Sequence, residues 1–261
     1  MRNSGDWRNG ASVCSLSSIL ETGEVDRRFY LSQKACREIL RRAEKRGRAL
    51  PPSLQTALEH AARIAAEITG QGGSAEAIRF DVTDAAETKL ALEKLLAAGP
   101  IQILVNNAGI HDDAVMPGMR PEQWSRVIDV SLNGFFNVTQ PLLMPMIRTR
   151  WGRIVNISSV AAIAGNRGQT NYAAAKAGLH GASRSLALEL ASRGITVNTV
   201  APGIIASAMS EAAFGDEAIA RLVPMKRAGR PEEVADLVAF LASARAGYIS
   251  GQVISINGGM I

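Results

Sequence analysis

Tyr172-Ala173-Ala174-Ala175-Lys176 sets a phenol and an ammonium four residues apart, and Ser159 lies thirteen residues upstream. On a helix both side chains share one face, so the positive charge beside the phenol favours its phenolate. That draws a pKa of about 10 toward physiological pH, where the phenol can exchange a proton with a carbonyl or alcohol oxygen. A hydroxyl from another element, Ser159, can hold the same oxygen. Together the three groups predict carbonyl chemistry that needs a hydride donor. In isolation a Tyr-x-x-x-Lys pair is ordinarily an amphipathic surface pair; here its surroundings carry the argument. Arg153 to Ile157 reads as a buried strand ending in Ser158-Ser159, and Gly165-Asn166-Arg167-Gly168-Gln169 as a polar loop into the Tyr172 helix. A strand end followed by a loop is where open parallel sheets place their ligands.

The elements that must position these groups alternate along the chain from about Ser74 onward. Short apolar runs at Glu76 to Phe80, Ile101 to Val105, Arg153 to Ile157, Ile195 to Val200 and Gln252 to Ile256 read as strands. Helical patterns fall between them: Asp84 to Ala97, Pro121 to about Ile147 with a kink or interruption at Pro141 and Pro145, Tyr172 to about Ala191, Ser207 to Leu222, and Pro231 to Ala242. This order predicts an α/β fold, a doubly wound parallel sheet in three αβα layers, Rossmann-like, as a single domain over 1–261.

At 261 residues, 47% hydrophobic and 20% charged, the chain can bury one large core. It has no run of eighteen apolar residues and a polar start, Met1-Arg2-Asn3-Ser4-Gly5-Asp6, so a soluble cytoplasmic protein without membrane contact is expected. Cys14 and Cys36 lie in no metal-ligand spacing and read as free thiols. The net charge of +5, with Arg37, Arg41, Arg42, Lys45, Arg46 and Arg48 clustered, raises nucleic-acid binding. No aromatic stacking platform or zinc-finger spacing accompanies it, so no nucleic acid is expected; an acidic carrier protein or a phosphorylated cofactor accounts for the charge equally well.

From Asp81 to the C-terminus the chain resembles the short-chain dehydrogenase/reductase family, and within it bacterial 3-oxoacyl-acyl-carrier-protein reductases. The likeness rests on Asp81-Val82-Thr83-Asp84, Asn106-Asn107-Ala108-Gly109, Gly168-Gln169 before Asn171-Tyr172, Lys176-Ala177-Gly178, Val197-Asn198, Ala201-Pro202-Gly203, Pro224-Met225-Lys226-Arg227 and Ile256-Asn257-Gly258-Gly259. Singly, several of these are ordinary turn sequences; their joint order carries the signal. The resemblance implies that Tyr172 is the general acid, that Ser159 orients the substrate carbonyl, and that Lys176 binds the nicotinamide ribose while lowering the tyrosine pKa. It further implies that Asp81 and Val82 flank the adenine, that Asn107, Ala108 and Gly109 pack along the cofactor, and that Ile205, after Pro202-Gly203, meets the nicotinamide carboxamide. NADP(H) is the implied cofactor, with NAD(H) as the other candidate. Arg150 and Arg193 resemble the basic positions that dock the acyl-carrier protein. A homotetramer is implied as well, joined through the helices near 121–147 and 171–191 and through the last strand.

Two departures stand out. Ser131 occupies the position of the Asn that completes the family's catalytic tetrad. That Asn holds a water with a carbonyl acceptor and an amide donor, whereas a hydroxyl is shorter and offers one donor. Ser131 is expected to weaken the proton relay without abolishing hydride transfer, and Asn133, two residues on, belongs to another helix face. The larger departure is the divergent first 75 residues, which lack the family's Thr-Gly-x-x-x-Gly-x-Gly turn for the pyrophosphate. Ile19-Leu20-Glu21-Thr22-Gly23 begins like it but continues through Glu24 and Asp26, and Leu31 to Ala49 reads as a basic helix. Three explanations stay open: a different half-site in which arginines contact the phosphates, loss of cofactor binding, or a disturbed reading frame. The alternatives in function are a short-chain alcohol- or steroid-type dehydrogenase acting on a small free substrate, and a non-catalytic partner subunit.

Overall fold

Four parallel strands carry the candidate site: β1 (Ile103–Asn106), β2 (Gly152–Ile157), β3 (Ile195–Pro202) and β4 (Val253–Ile256), side by side in chain order. The computed structural model describes residues 63–206 and 215–261. Between the strands run the helices α1 (63–70), α2 (Ala85–Leu96), α3 (Pro121–Ile128), α4 (Gly134–Thr149), α5 (Ala161–Ala164), α6 (Thr170–Leu190), α7 (Asp216–Leu222) and α8 (Pro231–Ala242). Both faces of the sheet are covered, so neighbouring strand residues enter opposite cores. Leu104, Ile154, Ile195 and Val197 join Leu92 of α2, Leu142 and Met146 of α4, and Leu190 of α6 in one core. Val105, Val155 and Val200 meet Val238 and Leu241 of α8 in the other. The result is the expected three-layer, Rossmann-like α/β sandwich, and none of its described helices is long and apolar enough to cross a membrane.

A polar row crosses the first core at matched register, where Asn106 pairs with Asn156 and Asn156 with Thr199. Asn106 Nδ2 donates to Asn156 Oδ1 at 2.8 Å and to Thr139 Oγ1 at 3.1 Å. Asn156 Nδ2 donates to Ser183 Oγ at 2.7 Å, and the Thr199 hydroxyl donates to the same oxygen at 2.9 Å. Three strands, α4 and α6 are thereby tied together just beneath the site.

Three expectations need correction or qualification. Glu76 to Phe80 joins no ladder, because a strand exists only where a partner supplies backbone hydrogen bonds, and none among the described residues does. The break in the long helix falls at Asp129–Asn133, a π-turn in which Gly134 N–H reaches the Asp129 carbonyl five residues back, while Pro141 and Pro145 lie inside continuous α4. A Cβ on Gly134 would stand 2.9 Å from Val82 Cγ2, so the helix passes close over residue 82 there. The glycine-turn question and the basic helix of Leu31 to Ala49 fall in residues 1–62, outside the described residues, as do 207–214 of the expected Ser207 to Leu222 helix.

Candidate active site

Ser159 follows the carboxyl end of β2, and its Oγ accepts the Ala161 N–H at 3.2 Å. The Tyr172 phenol, at the start of α6, is near enough to the Ser159 side chain for that group to lower its pKa. The helix start is held by Asn171, fully buried, which donates to the carbonyls of Asp112 and Gln123 at 2.9 and 3.0 Å and accepts the Tyr172 N–H at 2.8 Å. One turn on, Lys176 is buried, its Nζ donating to the Ile157 carbonyl at 2.9 Å and lying 5.8 Å from the centre of the Tyr172 ring. A Cβ on Gly109 would come within 2.8 Å of that Nζ. The end of β1, the end of β2 and one face of α6 therefore converge, although the sequence separates them widely.

Burial governs the electrostatics. It lowers the Lys176 pKa to about 8, because an ammonium out of water is disfavoured. It raises that of Tyr172, opposed by the Ser159 hydrogen bond and reinforced by the Asp113 charge. The phenol pKa lies above its ordinary value, not below it as expected: desolvation of the phenolate is the largest cause, and the Lys176 ammonium is directed to the Ile157 carbonyl. At neutral pH the phenol carries its proton, the state required of an acid.

The other predicted residues divide by place. Asn107, Ala108 and Gly109 form an exposed segment after β1, with Gly109 beside Lys176. Pro202 and Gly203 adjoin the end of β2: Val160 N–H donates to the Pro202 carbonyl at 2.7 Å, and Gly203 N–H to that of Ile256 at 2.9 Å. Ile205 forms a single bridge with Gly229. Val82 accepts from Asn137 Nδ2 at 2.9 Å, while exposed Asp81 takes the N–H and hydroxyl of Thr83, both at 2.8 Å, bonds that lower its pKa. Ser131 lies on the π-turn, which packs on α6 through Leu132 and Gly178; its hydroxyl is buried and has no hydrogen-bond partner among the described residues. Exposed Asn133 instead donates to Asp129 Oδ1 at 2.7 Å. Arg150 and Arg193 sit together at the opposite edge, ahead of β2 and β3, where the Arg150 guanidinium holds the Ser192 carbonyl at 3.1 Å. The length of β2 puts that edge about 20 Å from Ser159.

Sequence reasoning passed over Ser158 and His180. Ser158 Oγ lies 2.7 Å from His180 Nε2 and 3.1 Å from the Lys176 carbonyl, linking β2 to α6 directly behind the site. The available signal was spacing, since His180 stands one turn beyond Lys176.

These groups fit a nicotinamide dinucleotide in part. An ammonium has three donors and Lys176 gives one to Ile157, leaving two for a vicinal diol such as a ribose, with Gly109 adding no side chain in the way. Among the described residues no group of three or more His, Cys, Asp or Glu is placed to hold a metal.

A family model described as enoyl-(acyl carrier protein) reductase matches residues 38–261. The chain is 45% identical over 205 residues to a 3-oxoacyl-(acyl-carrier-protein) reductase FabG of Staphylococcus aureus strain Mu50, covering 77% of this chain and 83% of that protein. It is 47% identical over 199 residues to the protein of that name from Thermotoga maritima, covering 75% and 80%. It is 47% identical over 198 residues to nodulation protein G of Azospirillum brasilense, covering 72% and 80%.

Proposed function

The chain belongs to the short-chain dehydrogenase/reductase family, and on that footing we propose that it is an NADPH-dependent reductase of 3-oxoacyl groups carried on acyl-carrier protein, acting as one catalytic domain. The observation that carries the reading is the half-buried Tyr172 phenol, whose pKa the Ser159 side chain lowers against burial, beside the buried ammonium of Lys176, 5.8 Å from the centre of its ring. The Ser159 and Tyr172 hydroxyls together hold the keto oxygen. When bound, the cofactor supplies hydride to the keto carbon. Tyr172 passes its proton to the oxygen as the C=O bond becomes C–OH, and the phenolate left behind faces the Lys176 charge. Lys176 binds the ribose hydroxyls, with Asn107, Ala108, Gly109 and Ile205 along the cofactor and Asp81 and Val82 at its adenine end. Ser131 stands in the relay position with one hydroxyl and no partner among the described residues, which supports a weakened proton path.

A homotetramer agrees with Phe136 and Met144 of α4 and Leu188 of α6, which are 62%, 55% and 83% exposed. The carrier-docking reading of Arg150 and Arg193 then requires a neighbouring subunit, because within one chain they lie at the far edge of the sheet. Calorimetric titration with NADPH and then NADH, followed by reduction of a 3-oxoacyl thioester, tests the whole reading. Micromolar binding of NADPH, about 8 kcal/mol, with activity lost in Tyr172→Phe, is the expected result. A folded chain that binds neither cofactor is instead a non-catalytic subunit.

A further inference from the structure

A pocket of about 360 Å³ opens at the carboxyl ends of β3 and β4, lined by Ile204, Ile205, Val223, Met225 and Ile256 with bare glycine backbone between them. It has a charged pair at its wall, but that pair is closed on itself: Arg227 donates to both oxygens of Glu233 at 2.8 and 2.7 Å, and Glu233 also takes the Arg230 N–H at 2.7 Å. What the pocket offers a ligand is mainly aliphatic surface, together with Ser255 and Asn257, whose Nδ2 is buried without a partner among the described residues. The glycines preserve the space, since a Cβ on Gly258 would come 2.7 Å from Val223 Cγ1 and one on Gly229 2.7 Å from Ile205 Cδ1.

Its position relates it to the reacting groups. The hydrogen bonds from Val160 N–H to Pro202 and from Gly203 N–H to Ile256, at 2.7 and 2.9 Å, run along one edge from the Ser159 strand end to the pocket. Adjacent strands are about 4.8 Å apart, so β4 lies about 10 Å from β2. A substrate whose keto oxygen rests on Ser159 and Tyr172 reaches the pocket if its tail crosses over Pro202-Gly203. We propose that this pocket takes the distal methylenes of a straight, medium-length acyl chain, and so makes the protein prefer such a chain to an acetoacetyl group. The inference rests on the reductase reading above. The volume lies near the lower end of the range for small-molecule sites, roughly 300–1,000 Å³, which limits the tail to a short apolar segment.

The test uses N-acetylcysteamine thioesters of acetate, butyrate, octanoate and hexadecanoate, whose binding needs no turnover, together with NADPH oxidation by the matching 3-oxo compounds. Affinity should rise to octanoate, tenfold or more over acetate, because each methylene removed from water is worth roughly fourfold; it should gain nothing further at hexadecanoate. Met225→Trp fills the rim from a side chain that is two-thirds exposed, and should collapse the octanoate-to-acetate ratio toward one. A flat length series in the unaltered protein overturns the proposal, as does an unchanged ratio in a folded Met225→Trp. If all lengths are reduced alike, the pocket assignment fails and the reductase reading stands. If binding follows length but nothing is reduced, the pocket stands and the reductase reading fails.

Discussion

A phenol that donates a proton must hold one at the working pH, and the phenolate it becomes gains from a neighbouring cation. The two pKa shifts serve these needs: burial raises Tyr172, keeping it protonated, and brings Lys176 down to about 8. As pH rises, the ammonium is therefore the first charge to go. The value of kcat/KM for reduction should be level below about 8 and fall above it, a profile measured between about pH 6 and 10 at saturating NADPH. Stability moves the other way. Below the folded value Lys176 is charged whether folded or not; above it, up to about 10.4, the unfolded chain holds the extra proton, so stability rises with pH. Activity and stability thus part company over one pH interval, and a common decline would count against this assignment of Lys176.

Between β2 and α6 the link through Ser158 and His180 sets how Ser159 meets Tyr172. A hydroxyl has one proton; when Ser158 gives it to the Lys176 carbonyl, His180 Nε2–H must be the donor to Ser158. Burial and then the Arg184 charge lower the His180 pKa, favouring neutral imidazole. His180→Leu keeps bulk and removes the donor, so kcat should fall about tenfold with KM little changed, as for misplaced catalytic groups, and His180→Gln should recover most of it. Equal loss in both variants would make His180 a packing residue only. The visibility of such features in the sequence follows from their physics. Tyr172 and Lys176 share one turn and the strands carry local apolar runs, so both could be read directly. Ser158 and His180 pair across 22 residues and Asn106 and Asn156 across 50, and polar residues in ones and twos inside apolar segments have no period to detect. The π-turn was hidden in the same way, since ordinary helix-compatible residues form it, while Pro141 and Pro145 drew attention to a stretch where the helix continues.

For the whole molecule, the placement of exposed apolar side chains matters most. Phe136 and Leu188 lie on the helices that also carry the core and, in α6, Tyr172 and Lys176. Phe136→Glu with Leu188→Glu should therefore shift sedimentation toward smaller species and lower activity with it; an unchanged sedimentation coefficient would remove these faces from the assembly. The sheet itself faces a separate difficulty, that of choosing one alignment. A slip of one residue between strands would reverse which core each side chain enters, and the apolar pattern forbids it. A slip of two residues keeps every apolar residue on its own face. It would, however, set Asn156 opposite Leu104 or Val197 and strand its amide among aliphatic neighbours, at about 1–3 kcal/mol for each unmet group. The row of Asn106, Asn156 and Thr199 thus acts less on the native state than on its nearest competitors. It widens the energy gap between one correct alignment and the misaligned sheets that an aliphatic core alone would tolerate.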